Sequence, residues 1–414
     1  MARKLNSKIS EIVQQVPRRL VRRMFKKKLE AHEISDDALL DAMTDHFVSR
    51  RGEPFRWEIA QKDDIEILIT FTEEDIGDLL TDMRNAIDVS LPKAITEAVT
   101  RTSHSILKRL EKQWPEMKLS ERHEMQLFKD QLDLRWAPVL DPLRMMLGSA
   151  REVGETFAQK LARSKAKKGI IKRNVLLLLH MRACLTTLEI LTLLESGLPD
   201  GAYARWRTLY EISVVSFLVS RFGDEIAERY LAHEVVSERE SVINELRHEG
   251  RIYEPDKTKD FAKLEAGYQA AVTKYGGPFK SSYGWAAHSL NLKAPRFADL
   301  EEAVDWTSLP SDYKWSSYKV HAGVAGTVRS LGTLGDRDIV LTGATNAGLQ
   351  IPAINAAYSL LHVTSTLFET VSDIETQVQM NALILLRDKV LANSRKVVKR
   401  LTRDHANFGT EIIR

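Results

Sequence analysis

The chain has 414 residues, 43% of them hydrophobic and 28% charged, with a formal net charge of +3. These proportions argue against a disordered, collagen-like or rod-forming protein, and at about 100–200 residues per domain they predict two or three domains. The single cysteine, Cys184, leaves no internal disulfide to form, and twelve prolines and twenty glycines are few for this length. A helical, cytoplasmic protein is the expectation.

The N-terminus is basic. Residues 1–28 hold Arg3, Lys4, Lys8, Arg18, Arg19, Arg22, Arg23, Lys26, Lys27 and Lys28 against one acid, Glu11. The next sixty residues reverse the sign, with Asp36, Asp37, Asp41, Asp45, Asp63, Asp64, Glu66, Glu73, Glu74 and Asp75 among their acids. Arg18 with Arg22, and Arg19 with Arg23, share a helix face. Two readings stand: an arm for nucleic acid or anionic lipid, or a helix that folds back onto the acidic segment of its own chain or of a second subunit. No apolar run suits a secretory signal.

Taken in chain order, the run Phe55–Phe71 is the one place where a short hairpin is expected. Thr72, followed by Glu73, Glu74 and Asp75, predicts a helix start, because the threonine oxygen and early acids satisfy free amides. Helices are expected over 74–114 and 120–164. The basic, glycine-interrupted segment 164–172 (SKAKKGIIK) is the expected linker, dividing a mainly helical N-terminal region (1–165) from an all-α bundle (166–414). The apolar window 174–194 contains His180, Arg182 and Glu189, so it reads as a buried helix rather than a membrane span. Helices are further expected at 202–221, 224–249, 257–275, 281–290, 310–330, 352–376 and 380–401, with no internal repeat.

Several chemistries lack their spacing. There is no G-x-x-x-x-G-K-[ST], no G-x-G-x-x-G after a strand, no G-x-S-x-G and no H-E-x-x-H. Only Glu245-Leu-Arg-His248 fits the Glu-x-x-His pair of a di-iron bundle, so neither metal nor cofactor is expected. Metal-free helical ribonucleases of the higher-eukaryote and prokaryote nucleotide-binding superfamily carry an R-x4–6-H motif, in which arginine neutralises the scissile phosphate and histidine moves a proton. Arg173…His180 and Arg400…His405 fit the spacing. Four leucines beside His180 suit a core histidine equally well.

A denser constellation lies further on. Arg207 and Glu211 share a helix face, as do Arg182 and Glu189 on the preceding helix, and a short turn packs the two helices antiparallel. The four charges are therefore expected inside the bundle, as a structural ion-pair network or as a site. Tyr283 and His288 sit in YGWAAH, and Ser317, Tyr318 and His321 in a second aromatic stretch. Ser317 and His321 fall on one face, although no oxyanion motif accompanies them.

The run PDGAYARWRTLYEISV, then AERYLAHEV, YGWAAHSL, FADLEEAV, YKVHA and TGATNAGL, resembles the bacterial domain-of-unknown-function 5677 family over about residues 174–370. The resemblance implies an all-helical cytoplasmic protein without a settled activity, of the kind found beside mobile-element and phage-defence genes. It implies Arg207, Glu211, Tyr283, His288, Ser317 and His321 as motif positions. The functional expectation is a defence or stress component acting on or near nucleic acid as a metal-independent RNA nuclease. Arg207 with Arg182 would hold phosphate, His321 would serve as acid or base, Glu211 would orient the arginine, and Tyr283, His288, Ser317 and Tyr318 would contact substrate. The alternative is a non-enzymatic helical sensor or scaffold that binds a partner protein or a second copy.

Overall fold

The computed structural model describes residues 2–49, 55–57, 69–165, 167–247, 257–305, 310–333, 341–368 and 374–411, and they contain helices and connections without a β-strand. The chain is all-α, as expected. It divides into two compact units, Met1–Arg122 and His123–Arg414. Most of the expected hairpin, residues 58–68, lies outside the described residues.

The first unit contains α1 (Ala2–Ala31), α2 (Asp37–Ser49), α3 (Glu73–Asn85) and the start of α4 (Leu91–Arg163), with a π-helical stretch at Ala86–Ser90. Its small core joins Val21, Phe25 and Leu29 of α1 to Leu39 and Leu40 of α2. Phe25 meets the rings of Phe47 and Phe71 edge-on at 5.5 Å. The cationic face of α1 is met by acids of the same chain. Arg18 donates to Asp45 at 2.6 Å, and Arg22 to Asp41 at 2.7 Å and Asp37 at 3.0 Å. Arg23 pairs with Asp82 at 2.9 Å, and Lys28 with Asp75. Lys28 and the Thr72 amide push the Asp75 carboxyl down to about 2. Thr72 and Asp75 close a reciprocal cap on α3, with Asp75 N–H donating to the threonine oxygen at 3.2 Å and Thr72 N–H to the carboxylate at 2.9 Å. Of the two readings of the basic helix, folding back onto its own acidic segment describes these contacts.

The division falls inside α4, whereas the linker expected at 164–172 separates α4 from α5 within the second unit. The reason is the sequence of α4 itself. Its C-terminal half buries Leu132, Trp136, Leu140, Leu143, Met146, Leu147, Ala150 and Val153, an apolar stripe at helical spacing. No break occurs at 114–120, where two helices were expected.

The second unit is built on α5 (Ile170–Glu195) and α6 (Pro199–Phe222), which form a hairpin through the turn at Gly197, in the left-handed region at φ +70°. Asp224 fixes the start of α5 by accepting from Gly169 N–H at 2.6 Å and Lys172 N–H at 2.8 Å. That is an anionic cap where free amides and the helix dipole favour one. Short elements follow: α7 (Asp224–Ala232), α8 (Glu234–Arg247), α9 (Lys257–Tyr275), α10 (Ala287–Leu290), α11 (Phe297–Ala303), α12 (Pro310–Val320) and α13 (Val324–Val328). The expected helix over 224–249 is thus two, meeting at His233. Helices α14 (Gln350–Phe368) and α15 (Ile374–Glu411) close the bundle.

Ala353, Ala356 and Ala357 of α14 are buried in the main core, and Trp206 of α6 donates its indole N–H to Ser359 at 3.0 Å. Helix α5 is long and apolar enough to cross a membrane, yet 56% of that window is buried inside the bundle, as in a core helix.

Candidate functional site

Helix α6 presents one polar face toward the short elements. Arg207 Nε donates to Glu211 Oε1 at 3.0 Å, the i,i+4 contact expected from sequence. Helix α12 supplies two further partners one turn apart. Arg207 Nη2 donates to the Tyr313 hydroxyl at 2.9 Å, and Nη1 to Ser317 Oγ at 3.1 Å. Tyr313 in turn donates to Glu211 Oε1 at 2.7 Å, and the guanidinium lies 4.8 Å from the centre of its ring. Three of the five guanidinium N–H groups are engaged, and among the described residues the other two have no acceptor. The Arg207 side chain is 25% exposed and that of Glu211 35%, so the face is open to solvent.

A second carboxylate borders this centre. Glu301, on α11, accepts from the Tyr210 hydroxyl at 2.8 Å. Tyr210 and Tyr313 lie with ring centres 5.2 Å apart, and Phe297 packs 4.8 Å from Tyr313 and 6.1 Å from Tyr283. Burial raises the Glu301 carboxyl above the ordinary value; the Tyr210 bond opposes this and the nearby Glu211 charge adds to it. Burial works against the Arg207 charge, but the bonds from Glu211 and Tyr313 outweigh it and keep the guanidinium charged. Burial, with Glu211 close by, also raises Tyr283 and keeps its phenol protonated. No described residue hydrogen-bonds the Tyr283 hydroxyl.

The loop that carries Tyr283 is held from below. The His233 Nε2–H is shared between the carbonyls of Phe279 (3.1 Å) and Ser281 (3.0 Å). Gly284 is required because a Cβ there would lie 2.3 Å from the Phe279 carbonyl oxygen.

Of the residues expected from sequence, the structure therefore gathers Arg207, Glu211, Ser317 and Tyr283. The others lie apart from these contacts. Arg182 is exposed beside Tyr230, and Glu189, expected as its companion, pairs instead with Arg205. The four charges do not form one buried network, because α5 turns Arg182 outward. His288 Nδ1 contacts Glu225 of α7 at 2.8 Å, with both side chains more than half exposed. Tyr318 packs edge-on against Trp315 at 5.4 Å. His321 is exposed one turn beyond Ser317, to which only its backbone N–H is bonded, at 3.1 Å.

Neither arginine–histidine pair makes a site. Arg173 folds back onto Gly169, Ser164 and Lys168. His180 is buried, with Thr364 at 3.2 Å from its Nε2, and burial pushes the ring down to about 4. Arg400 and His405 are exposed on α15. Glu245–His248 ends outside the described residues, and among those described no three His, Cys, Asp or Glu are grouped to hold a metal.

Sequence reasoning missed Tyr210, Glu301 and Tyr313. All three had a signal. Tyr313 lies four residues before Ser317 on one face, while Tyr210 and Glu301 are polar residues inside two of the quoted runs, RWRTLYE and FADLEEAV.

Other motif residues support the frame. Asp200 accepts from Ser330 Oγ at 2.7 Å and Leu331 N–H at 3.0 Å, and pairs with Lys319 at 3.1 Å. Asn346, in TGATNAGL, takes the Trp136 indole N–H at 2.9 Å.

Fold and cluster together define an all-α bundle with a half-buried Arg–Glu–Tyr centre on α6. Residues 173–338 match the model of a family of unknown function, DUF5677. The matched segment begins where the resemblance predicted and ends earlier, leaving TGATNAGL outside. No curated protein and no solved structure matches the chain.

Proposed function

We propose that the Arg207 cluster is the working site of a cytoplasmic defence or stress protein that acts on nucleic acid, and that its reaction is metal-independent cleavage of RNA. The observation that carries this is the convergence of a fixed guanidinium with two N–H groups to spare, a free phenol at Tyr283 and a carboxyl of raised pKa at Glu301. Arg207 would hold a phosphodiester oxygen, with Glu211, Tyr313 and Ser317 preventing its reorientation. Glu301, as carboxylate, would accept the 2′-hydroxyl proton while the 2′-oxygen attacks phosphorus to form a 2′,3′-cyclic phosphate and the 5′-oxygen leaves, taking a proton from water. This moves the proton-transfer role from His321 to Glu301.

The test is cleavage of end-labelled single-stranded RNA in EDTA. Wild type is expected to cut. Glu301→Gln and Arg207→Gln are each expected to lose about 100-fold or more in rate, with thermal unfolding nearly unchanged. His321→Ala is expected to stay within about threefold of wild type, well short of the loss that removing an acid–base group brings. The rate should fall as pH drops through the raised Glu301 pKa, because only the carboxylate can take the proton. Loss in His321→Ala with retention in Glu301→Gln would return the role to His321, and a wild type that neither binds nor cuts RNA would sink the reading.

The second reading, a helical scaffold or sensor, is favoured by a different observation: Arg18, Arg22, Arg23 and Lys28 of α1 are paired with Asp37, Asp41, Asp45, Asp75 and Asp82 of the same chain. Deleting residues 1–28 would remove Val21 and Phe25 from the core of the first unit, so surface charge reversal is the cleaner probe. If α1 is a nucleic-acid arm, Arg19→Glu with Lys27→Glu should weaken RNA retention at low salt several-fold. Unchanged retention supports the scaffold.

A further inference from the structure

The second unit exposes a tryptophan that its own structure holds in place. Among the tryptophans described there, Trp136, Trp206 and Trp285 are buried, whereas Trp315 of α12 is 45% exposed. The Arg329 guanidinium lies 5.3 Å from the centre of its ring, and Tyr318, one turn on, meets that ring edge-on at 5.4 Å. Arg329 is fixed through its backbone, because its carbonyl accepts from Lys319 Nζ and Lys319 also pairs with Asp200 at 3.1 Å. Helices α12 and α13 can close on each other only with glycine at 326, where a Cβ would overlap the Tyr318 carbonyl oxygen. An aromatic plane and a guanidinium held together before any partner arrives lose little freedom on binding one.

The charge around the ring has one sign. Residues 313–330 contain Lys314, Lys319 and Arg329 and no acid. The acid just before them, Asp312, accepts from Asn355 of α14 at 3.1 Å. Among the described residues Asp200 takes up Lys319, and no carboxylate pairs with Lys314 or Arg329. A planar ring beside an unpaired guanidinium and an exposed lysine suits a nucleobase that carries a phosphate: the base stacks and the cations meet the phosphate. The exposed Val320, Val324 and Val328 would also suit a lipid surface. Against that, burying Trp315 in lipid would carry the Arg329 charge into the apolar layer with it. The position fits a strand already held at Arg207. Tyr313 and Ser317, which bond Arg207, bracket Trp315 in sequence, and Trp315 lies about 200° round the helix from Tyr313, on the other side of the same turn.

We propose that Trp315, with Arg329 and Lys314, is a stacking site for one base of single-stranded nucleic acid. A base must leave its neighbours to lie on the ring, so the site selects single strands over duplex. The inference rests on the reading of this unit as one that acts on nucleic acid, and it is tested by binding rather than by cleavage.

The experiment is fluorescence anisotropy of the full chain with a labelled single-stranded oligodeoxynucleotide, which has no 2′-hydroxyl to attack and stays intact. Trp315→Ala should weaken binding about tenfold and Trp315→Phe by no more than about threefold, both with unaltered thermal unfolding because the ring is already exposed. Arg329→Gln should weaken it several-fold and make it less dependent on salt. A strand that is abasic throughout should bind wild type and Trp315→Ala alike, since stacking is all that the variant removes. Equal binding of wild type and Trp315→Ala to the intact strand would overturn the stacking site, and RNA cleavage by the wild type would then leave the Arg207 reading standing. Weakened binding by Trp315→Ala, in a protein whose wild type never cuts RNA, would support the stacking site and sink the cleavage instead. Equal losses on the intact and abasic strands would overturn it, and so would a wild type that binds phosphatidylserine vesicles but neither strand.

Discussion

Gly348→Ala is expected to destabilise the second unit by about 3 kcal/mol or more, combining left-handed strain with a backbone overlap. Gly348 holds φ at +80°, and a Cβ there would lie 2.3 Å from the Leu331 carbonyl oxygen and 2.9 Å from the Gly332 nitrogen. These are backbone atoms, so no side chain can swing aside. The contact matters because this crossing closes the loop that ends in α14. Thr345 N–H donates to the Gly197 carbonyl at 2.9 Å, and Thr345 Oγ1 to the Gly332 carbonyl at 3.2 Å. Asn346 meanwhile binds the Trp136 indole. Displacing Leu331 would also disturb its N–H bond to Asp200 at the start of α6, two turns before Arg207. Urea unfolding monitored by tryptophan fluorescence measures the effect. Gly343→Ala, in the same segment with nothing within 4 Å of its Cβ, is the control and should stay within about 0.5 kcal/mol of wild type. Equal effects at the two positions would show that the crossing at Leu331 does not matter.

Acid is expected to unfold the bundle earlier than its carboxylates alone would dictate. Burial holds the rings of His180 and His362 down to about 4, from an ordinary 6.5. His180 has a defined neutral arrangement. The Thr364 hydroxyl gives its hydrogen to the Leu360 carbonyl at 2.8 Å, so it accepts from His180 Nε2–H. Gly154 leaves room for the ring, as a Cβ there would lie 2.9 Å from it. His362 packs edge-on against Phe217 at 5.9 Å, with the Arg387 charge adding to the effect of burial. In the unfolded chain both rings take up a proton below about pH 6.5, while in the fold they do so only near 4. The stability contributed by the neutral rings is therefore intact above pH 6.5 and lost as pH falls toward 4. At pH 5 the loss is about 2 kcal/mol for each histidine, a large share of the roughly 5–15 kcal/mol that holds a domain together. Denaturant titrations at pH 7 and pH 5 measure it. His180→Gln should remove about half of the excess pH dependence, and an unchanged slope would show that the ring is hydrated.

Much of the fold was legible in the sequence. Thr72 with Asp75 announced the start of α3, and the leucine run a buried α5, because caps and apolar periodicity act over a few residues. The division inside α4 was not legible. Helix 91–163 runs on through Pro115, and its membership changes only because one half finds partners in the core and the other half does not. At the cluster, Arg207 and Glu211 were readable as an i,i+4 pair on one face. Glu301, ninety residues from Glu211, has no local relation to it.

The sequence by itself determined that this protein is all-α, that its basic N-terminus is followed by an acidic segment, and that α6 carries an arginine and a glutamate on one side. These follow from short-range stereochemistry and charge. Only the tertiary structure decided which of these groups work together. Packing turned Arg182 outward, gave Glu189 to Arg205, brought α11 and α12 over α6 so that Tyr313 and Ser317 hold Arg207 while Glu301 takes the Tyr210 hydroxyl, and drew His180 into the core. Such assignments depend on which helix covers which face, and that is fixed by the burial of side chains far apart in the chain rather than by the neighbours of any one residue.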